Sequence, residues 1–237
     1  MLYEYSKNFE YLKNISELEL CKENLIFLLN KNLDNDETCN LENFVEWMNL
    51  NQDNIQSFTN NFPNDQQSFE YWLIKALFCF ARKGNLSELK LWINLFNIKD
   101  LNIFSDYGNS ILSCACYNNM FHVASFLIKK GANVNTKNNK GKTALHRIME
   151  NNEDNQYKEK IVNLLKENGA KIDYIDKDGN TALHYALENK NIYYASLLIK
   201  FNADTKIKNK DYMYPIHLLV RNIKTNLDIE LFDKIVD

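Results

Sequence analysis

Three histidines are the first residues in this chain that could carry metal or acid–base chemistry. His146 and His184 each follow the residues Thr-Ala-Leu, and His217 lies 33 positions after His184. A zinc site or an acid–base site would need such side chains to converge on one point. Whether they can converge depends on the elements that position them.

Other kinds of chemistry lack the residues that they need. The chain has no phosphate-binding glycine loop, no Gly-x-Ser-x-Gly motif, no His-Glu-x-x-His and no paired-Cys zinc spacing. The run DKDG at 176–179 resembles the start of a calcium loop, but Gly179 follows Asp178 directly and no Glu closes the loop. We therefore expect no catalytic residue, cofactor or metal, and we expect that the protein is not an enzyme.

The segment around each histidine recurs along the chain. KDGNTALH at 177–184 matches KGKTALH at 140–146, YGNSILS at 107–113 and the more divergent DYMYPIH at 211–217. The positions equivalent to Gly179 are 108, 141 and 212, so the spacings are 33, 38 and 33. A period near 33 residues indicates a repeat protein.

Each repeat has signals for a turn followed by two short helices. Gly179 suits a hairpin tip, where a positive φ costs no Cβ clash, and Thr181 can cap the helix that follows. A second helix is predicted at 192–200, with Tyr194, Leu197 and Leu198 on its apolar face. The repeats then carry Gly131, Gly169 or Asn202 where a left-handed helix end is expected.

These motifs resemble the ankyrin repeat family from about residue 70 onward. The resemblance implies an all-α solenoid of about five units, of which the first and last are divergent. It also implies that His146, His184 and His217 fix successive hairpin-to-helix turns and stay apart. His122, at the start of a second helix, is expected to pack or be solvated.

We predict an N-terminal helical cap or accessory module at 1–66 and an ankyrin repeat domain at 67–237. Helices are expected at 17–32, after a capping box at Ser16, and at about 41–50. The first repeat is expected as a helix from Phe69, a turn at 81–85 and a second helix at 86–96. An insertion at 151–157 should join the two helices of the third repeat, and a final helix is expected at about 228–236.

Composition separates the chain into parts of opposite charge. Residues 1–66 hold 4 Lys and 12 Asp or Glu, a net charge of −8, and the remainder has 24 Lys or Arg and 19 Asp or Glu, a net of +5. No apolar run approaches the ~18 residues of a membrane span, and no signal peptide opens the chain. We therefore expect a soluble protein.

The five cysteines show no recognisable pairing scheme. Cys114 and Cys116 point about 200° apart on a helix and cannot share a metal. Together with Cys79 they are expected to be buried free thiols, which predicts a reducing compartment such as the cytoplasm, of a host cell if the protein is secreted.

In ankyrin proteins, partners bind along a concave face made of hairpin tips and the exposed ends of the first helices. The equivalent tip positions here are Asp106, Tyr107, Asn109, Asn139, Lys140, Lys142, Lys177, Asp178, Asn180, Lys210, Asp211 and Met213. The equivalent helix positions are Arg82, Lys83, Tyr117, Asn118, Glu150, Asn151, Glu188, Asn189, Arg221 and Asn222. Tyr107 and Tyr117 are the expected aromatic anchors, and the lysines favour an acidic partner. Solvated side chains remain the alternative for isolated Lys and Glu residues.

The resemblance implies a non-catalytic protein-binding scaffold that acts as an adaptor, sequestering agent or inhibitor. A bacterial or viral protein aimed at a host partner fits the composition, which is rich in Asn, Lys and Ile, and an endogenous inhibitor such as a toxin-neutralising protein fits equally. The alternative is a substrate-recruiting subunit, in which residues 1–66 engage an enzyme and the repeats hold its target. We expect a monomer without membrane insertion. Nucleic acid is disfavoured because the positive charge is dispersed.

Overall fold

The structure is a computed structural model that describes residues 69–95, 98–153 and 155–222. The helices expected at 17–32, 41–50 and 228–236 lie outside these ranges. Within the ranges the regular structure is nine α-helices, and the β-type pairing is an isolated antiparallel bridge between Phe104 and Ser110. The predicted all-α class is confirmed. The helices in chain order are α1 (Phe69–Lys83), α2 (Leu86–Leu95), α3 (Ile111–Tyr117), α4 (Phe121–Lys129), α5 (Ala144–Glu150), α6 (Lys158–Glu167), α7 (Ala182–Glu188), α8 (Ile192–Lys200) and α9 (Pro215–Asn222).

The described residues fall into two compact units, 69–80 with 87–95 and 98–99, and 81–86 with 100–153 and 155–222. In the first unit, the rings of Phe80 in α1 and Trp92 in α2 pack edge to face with centroids 5.2 Å apart. Ala76, Leu77 and Leu89 of the same two helices are also buried. The chain between α1 and α2 turns at Gly84, whose φ of +78° is left-handed, so the predicted helix–turn–helix is confirmed.

In the second unit, the first helices of successive repeats pack side by side. Helix α5 lies between α3 and α7, and α9 packs on α7. Each of α3, α5 and α7 also packs on the helix that follows it, so each of these three repeats has an inner and an outer helix. The equivalent leucines Leu112, Leu145 and Leu183 of the inner helices are at most 2% exposed. Burying them between neighbours is what makes the stack obligatory, because a single repeat cannot cover its own apolar face.

The outer helices end as the sequence predicts. Gly131, Gly169 and Asn202 follow α4, α6 and α8 with φ values of +92°, +81° and +63°. A left-handed residue there lets the chain leave the helix while its last carbonyls are still paired. Asn202 shows that Asn can replace Gly at this point, since its side chain tolerates the left-handed region better than most.

The predicted insertion does join α5 and α6 in the third repeat. It is fixed by Lys158, the first residue of α6, which is 1% exposed and whose Nζ donates a hydrogen bond to the carbonyl of Asn151. The Asn151 side chain in turn donates to the carbonyl of Tyr117 in the preceding repeat. The ring of Tyr194 lies 4.9 Å from the Lys158 ammonium. The insertion is therefore anchored to the repeats on both sides.

Among the described helices, none combines the length and the apolar character required to cross a bilayer.

Candidate functional site

Four hairpin turns repeat one backbone geometry in the second unit. In the third of them the N–H of Asp176 donates to the carbonyl of Asn180 at 3.0 Å, and the N–H of Gly179 donates back to the Asp176 carbonyl at 3.1 Å. The Asp176 carboxylate also accepts the N–H of Asn180 at 2.9 Å. Because this side chain closes the turn, a short Ser, Asn or Asp is favoured at its first position. We number the turns hairpin 1 (105–109), hairpin 2 (138–142), hairpin 3 (176–180) and hairpin 4 (209–213).

The fourth position of each hairpin is left-handed. Gly108, Gly141 and Gly179 have φ values of +70°, +79° and +79°, and Tyr212 has a φ of +60° at the same place. A Cβ on Gly141 would lie 2.9 Å from the backbone nitrogen of Lys177 in the next hairpin. At Gly141, glycine is therefore favoured both by the backbone conformation and by the close approach of the next hairpin. The predicted equivalence of positions 108, 141, 179 and 212 is confirmed, because all four residues are left-handed.

Neighbouring hairpins are joined by backbone hydrogen bonds between their tips. The N–H of Asn139 donates to the carbonyl of Tyr107 at 3.1 Å. Two equivalent bonds follow, from Lys177 to Lys140 at 2.9 Å and from Lys210 to Asp178 at 2.9 Å. The tips of all four hairpins are thus held in one register, so the side chains at these positions form a row.

Buried histidines connect each hairpin to the next. The N–H of Thr143 donates to Nδ1 of His146 at 3.2 Å, which makes Nδ1 an acceptor and places the ring proton on Nε2. Nε2 then donates to the carbonyl of Asn180, in hairpin 3, at 3.1 Å. His184 repeats this arrangement from Thr181 to the carbonyl of Met213. Both imidazoles have both nitrogens engaged, so neither is available to a metal or a substrate.

Burial also lowers the pKa of His146 and of His184 below the ordinary range, because the charged ring would lose its hydration. Hydrogen bonds to the Asn180 and Met213 carbonyls offset only part of this effect. His217 occupies the equivalent position in the fifth repeat, accepts the N–H of Tyr214 at 3.1 Å and is exposed. All three histidines accept a backbone N–H at the hairpin-to-helix turn, as the ankyrin resemblance implies.

A polar cluster crosses the inner helices of the second to fourth repeats. Nζ of Lys142 lies 2.8 Å from the Glu150 carboxylate and 4.4 Å from the Tyr185 ring centroid. The guanidinium of Arg147 pairs with the same carboxylate and stacks 4.0 Å from the ring centroid of Tyr117. Each cation is therefore held between a carboxylate and an aromatic ring.

The charges of this cluster stabilise one another. Burial alone would lower the pKa of Lys142, but its hydrogen bonds to Glu150 and Tyr185 outweigh burial and raise it. Burial alone would raise the pKa of Glu150, and the two cations reverse that effect and lower it. The hydroxyl of Tyr185 donates to Asp176 at 2.6 Å, and burial with this bond raises the pKa of Tyr185 to about 12. The cations and carboxylates of the cluster therefore compensate one another.

The chain matches a family model described as ankyrin repeats in three copies. The matches cover residues 37–138, 77–172, 133–211 and 153–229. Together with the repeated hairpins and paired helices, they settle the classification. The chain belongs to the ankyrin repeat family. Ankyrin repeats generally mediate protein–protein interaction and are typically non-catalytic. The first match begins inside the segment predicted as a cap, so the domain boundary at residue 66 stays a prediction.

Most of the ankyrin tip and helix positions predicted to contact a partner reach the surface. Ten of them are exposed, namely Asp106, Tyr107, Asn139, Lys140, Lys177, Asp178, Glu188, Lys210, Asp211 and Arg221. The half-buried ones are Arg82, Lys83, Asn109, Tyr117, Asn118, Glu150, Asn180, Asn189 and Met213. The side chain of Asn222 lies outside the described part. Of the two expected aromatic anchors, Tyr107 is 77% exposed, whereas Tyr117 is covered by Arg147.

Two of the predicted positions are not at the ankyrin surface. Lys142 was expected to be an exposed tip lysine, but it is 7% exposed because its chain runs under the Tyr185 ring to Glu150. Asn151 was expected at the exposed end of a helix, but it is 8% exposed because its amide is used to hold the insertion. Neither side chain is available to a partner in this arrangement.

The buried polar residues are difficult to predict from the sequence alone. Lys158 directly follows the insertion, and nothing else in its sequence position distinguishes it from an exposed lysine. Asp176, in the run that resembles the start of a calcium loop, closes hairpin 3 and accepts a hydrogen bond from Tyr185. The position of Tyr185 within the ankyrin repeat is a signal for this contact. Tyr185 directly follows the motif histidine, and a ring at that position can reach the preceding hairpin.

The predicted burial of the cysteines is wrong for one of them. Cys79 and Cys116 are buried as predicted, but Cys114 is only half-buried. Burial and the neighbouring Cys114 raise the pKa of the Cys116 thiol, so this group stays protonated and unreactive. No group of His, Cys, Asp and Glu in residues 69–95, 98–153 and 155–222 is arranged to hold a metal ion.

Proposed function

We propose that this protein is a non-catalytic scaffold that binds a protein partner on its hairpin face, meaning hairpins 1–4 and the adjoining ends of the inner helices. The observation that carries the proposal is the row of tip-to-tip hydrogen bonds from Tyr107 to Lys210. It holds exposed side chains of several chemical types in a fixed order. Such pre-organisation reduces the ordering cost of association.

The composition of the hairpin face supports a specific polar interface. Tyr107 is a large exposed ring of the kind that is enriched at the centre of interfaces. Lys140, Lys177 and Lys210 are exposed on three successive tips and favour a partner with an acidic surface. The acidic tip residues Asp178 and Asp211 would discriminate between partners, because a like charge placed against them is unfavourable.

Within this function, the protein acts as an adaptor, a sequestering agent or an inhibitor. A bacterial or viral origin with a host target fits the composition, as does an endogenous inhibitor. A reducing compartment such as the cytoplasm is part of the proposal, because the fully buried thiol of Cys116 is compatible with one.

The test uses the full chain as bait and identifies captured proteins by mass spectrometry. The variant Tyr107→Ser/Lys140→Ser/Lys177→Ser changes exposed side chains of three tips. Its control, Tyr193→Ser/Lys129→Ser/Lys200→Ser, changes one exposed tyrosine and two exposed lysines on outer helices. We expect the first variant to lose the captured partner and the control to keep it. Equal capture by both variants would contradict the proposal.

The charge difference along the sequence favours a second candidate function. Residues 1–66 carry a net charge of −8, and such a segment could engage an enzyme while the repeats hold its target. A substrate-recruiting subunit would then capture two proteins. Comparing the full chain with residues 67–237 separates the candidates, because only the second one predicts that a partner disappears with the segment.

A further inference from the structure

Hairpin 4 and the segment before it carry a patch of exposed lysines. Lys206, Lys208 and Lys210 are exposed, and the residues between them, Ile207 and Asn209, are half-buried. This alternation places all three lysines on the solvent side of the chain within five residues. The charge is reduced by Asp204 and Asp211, which lie at the two ends of the same segment.

Tyr212 lies at the tip of this hairpin and is 74% exposed. The Nζ of Lys208 is 5.1 Å from its ring centroid, so ring and lysine form one surface. We call Lys206, Lys208, Lys210 and Tyr212 the basic aromatic patch.

The backbone of Tyr212 is strained. Its φ of +60° is a conformation that bulky residues rarely adopt, and the three other hairpins carry glycine there. The turn is nevertheless kept, because the N–H of Tyr212 donates to the Asn209 carbonyl at 3.0 Å, as the glycines do. An aromatic side chain that costs backbone strain and stays largely in solvent contributes little to folding. Residues of this kind are found at binding sites.

The other hairpins differ from hairpin 4 at the matching positions. In each hairpin the matching residues are the third and first before the turn and the second within it. They are Asn102, Phe104 and Asp106 at hairpin 1, Asn135, Lys137 and Asn139 at hairpin 2, and Asp173, Ile175 and Lys177 at hairpin 3. Three lysines beside an aromatic tip are therefore specific to hairpin 4, and they are not a requirement of the repeat.

We propose that the basic aromatic patch binds an acidic peptide segment of the protein partner. The carboxylates of that segment contact the ammonium groups of Lys206, Lys208 and Lys210, and an apolar side chain beside them packs on the Tyr212 ring. This inference rests on the proposed protein-binding function, since it names the chemistry of the partner at one end of the hairpin face.

The test is a titration of the full chain with a fluorescein-labelled glutamate–glycine peptide that contains one phenylalanine. The matched glutamine peptide is the neutral control. Lys206→Ser/Lys208→Ser/Lys210→Ser should weaken binding about tenfold, because three charge contacts are lost. Lys129→Ser/Lys130→Ser/Lys200→Ser removes the same charge from exposed positions at the ends of outer helices and should leave the affinity within about twofold.

Tyr212→Gly separates binding from stability. It restores the residue that the other hairpins have, so the melting temperature should rise by about 2 °C while peptide affinity falls severalfold. Unchanged affinity in this variant would overturn the inference, as would equal losses in the two lysine variants or equal binding of the glutamine peptide. Light scattering must show a monomer, because association of two copies through the acidic residues 1–66 would also overturn it.

The two experiments distinguish a failure of this inference from a failure of the proposed function. If the tip variant loses the captured partner but the acidic peptide does not bind, the proposed function stands and this inference fails. If the peptide binds at the patch but the tip variant captures the partner normally, the role of hairpins 1–3 in the proposed function fails instead.

Discussion

Nε2 of His146 lies 3.1 Å from the carbonyl oxygen of Asn180, in the hairpin of the next repeat. A side chain that caps one helix therefore also satisfies a backbone group of its neighbour. The same relation links His184 to Met213. These two histidines couple the folding of successive repeats, because each of them caps a helix in one repeat and binds a backbone carbonyl in the next.

Replacing His146 by Gln should lower the free energy of unfolding by about 1–2 kcal/mol near neutral pH, since the cap and the bond to Asn180 are both lost. The measurement is urea unfolding of the full chain. His217→Gln is the control, because His217 is exposed, and it should cost clearly less. A larger loss from His217→Gln would contradict the role given to His146.

The buried histidines also predict how stability depends on pH. The pKa of His146 and His184 is lowered in the folded state, so below about pH 6.5 the unfolded chain binds protons that the folded chain does not. Their contribution is complete above that pH and declines as the pH falls toward the folded pKa. His146→Gln should therefore flatten the decline between about pH 7 and pH 5. An unchanged slope would mean that His146 is not neutral in the folded protein.

Two glycines with the same backbone conformation should respond differently to alanine. Gly169 and Gly179 have φ values of +81° and +79°, so each alanine costs about 1 kcal/mol of left-handed strain. A Cβ on Gly169 meets nothing within 4 Å, whereas one on Gly179 would lie 3.0 Å from the Cα of Asn209. Gly179→Ala should be the more destabilising by a further ~1–2 kcal/mol in urea unfolding. Equal losses would argue against close packing of hairpins 3 and 4.

Leu183→Ala should destabilise the protein by about 2–5 kcal/mol, because this side chain is 1% exposed between inner helices. Ile175→Ala removes a side chain that is 47% exposed and should cost under about 0.5 kcal/mol. Hydrogen exchange should show loosening in the repeats on both sides of Leu183. Normal protection throughout residues 141–220 of Leu183→Ala would count against coupling between neighbours.

The pair Lys142–Glu150 should behave as a coupled unit. Glu150→Gln removes the carboxylate that pairs with Lys142, which is only 7% exposed. This variant should lower the free energy of unfolding by about 1–3 kcal/mol. The double variant Lys142→Met/Glu150→Gln should lose less than the sum of the single variants, since the buried lysine charge is then removed together with the carboxylate that compensates it. Glu188→Gln, at an exposed site, serves as the control. Additive losses would show that the two residues act separately.

The sequence was sufficient for the elements that depend on local signals. The left-handed glycines, the Thr-capped helices and the insertion at 151–157 follow from spacing and residue type, and all of them are present. Exposure was harder to predict. Lys142 and Lys158 are buried because ring, carboxylate and carbonyl groups meet around them, and these partners come from positions that only the folded stack brings together.

The same limit applies to the candidate site. Spacing alone places Tyr212 at the position of a hairpin glycine. It does not show that the chain keeps the left-handed turn there and leaves the ring in solvent. Whether a side chain at a known repeat position is available to a partner depends on contacts between repeats, which a single motif does not contain.

Hydrogen–deuterium exchange of the full chain, alone and with its captured partner, tests the central claim most directly. The claim is that the hairpins form the binding surface. We predict slower exchange at the tips of hairpins 1–4, in residues 105–109, 138–142, 176–180 and 209–213, with little change in the outer helices α4, α6 and α8. Protection confined to the outer helices, with unchanged exchange at the hairpins, would contradict it.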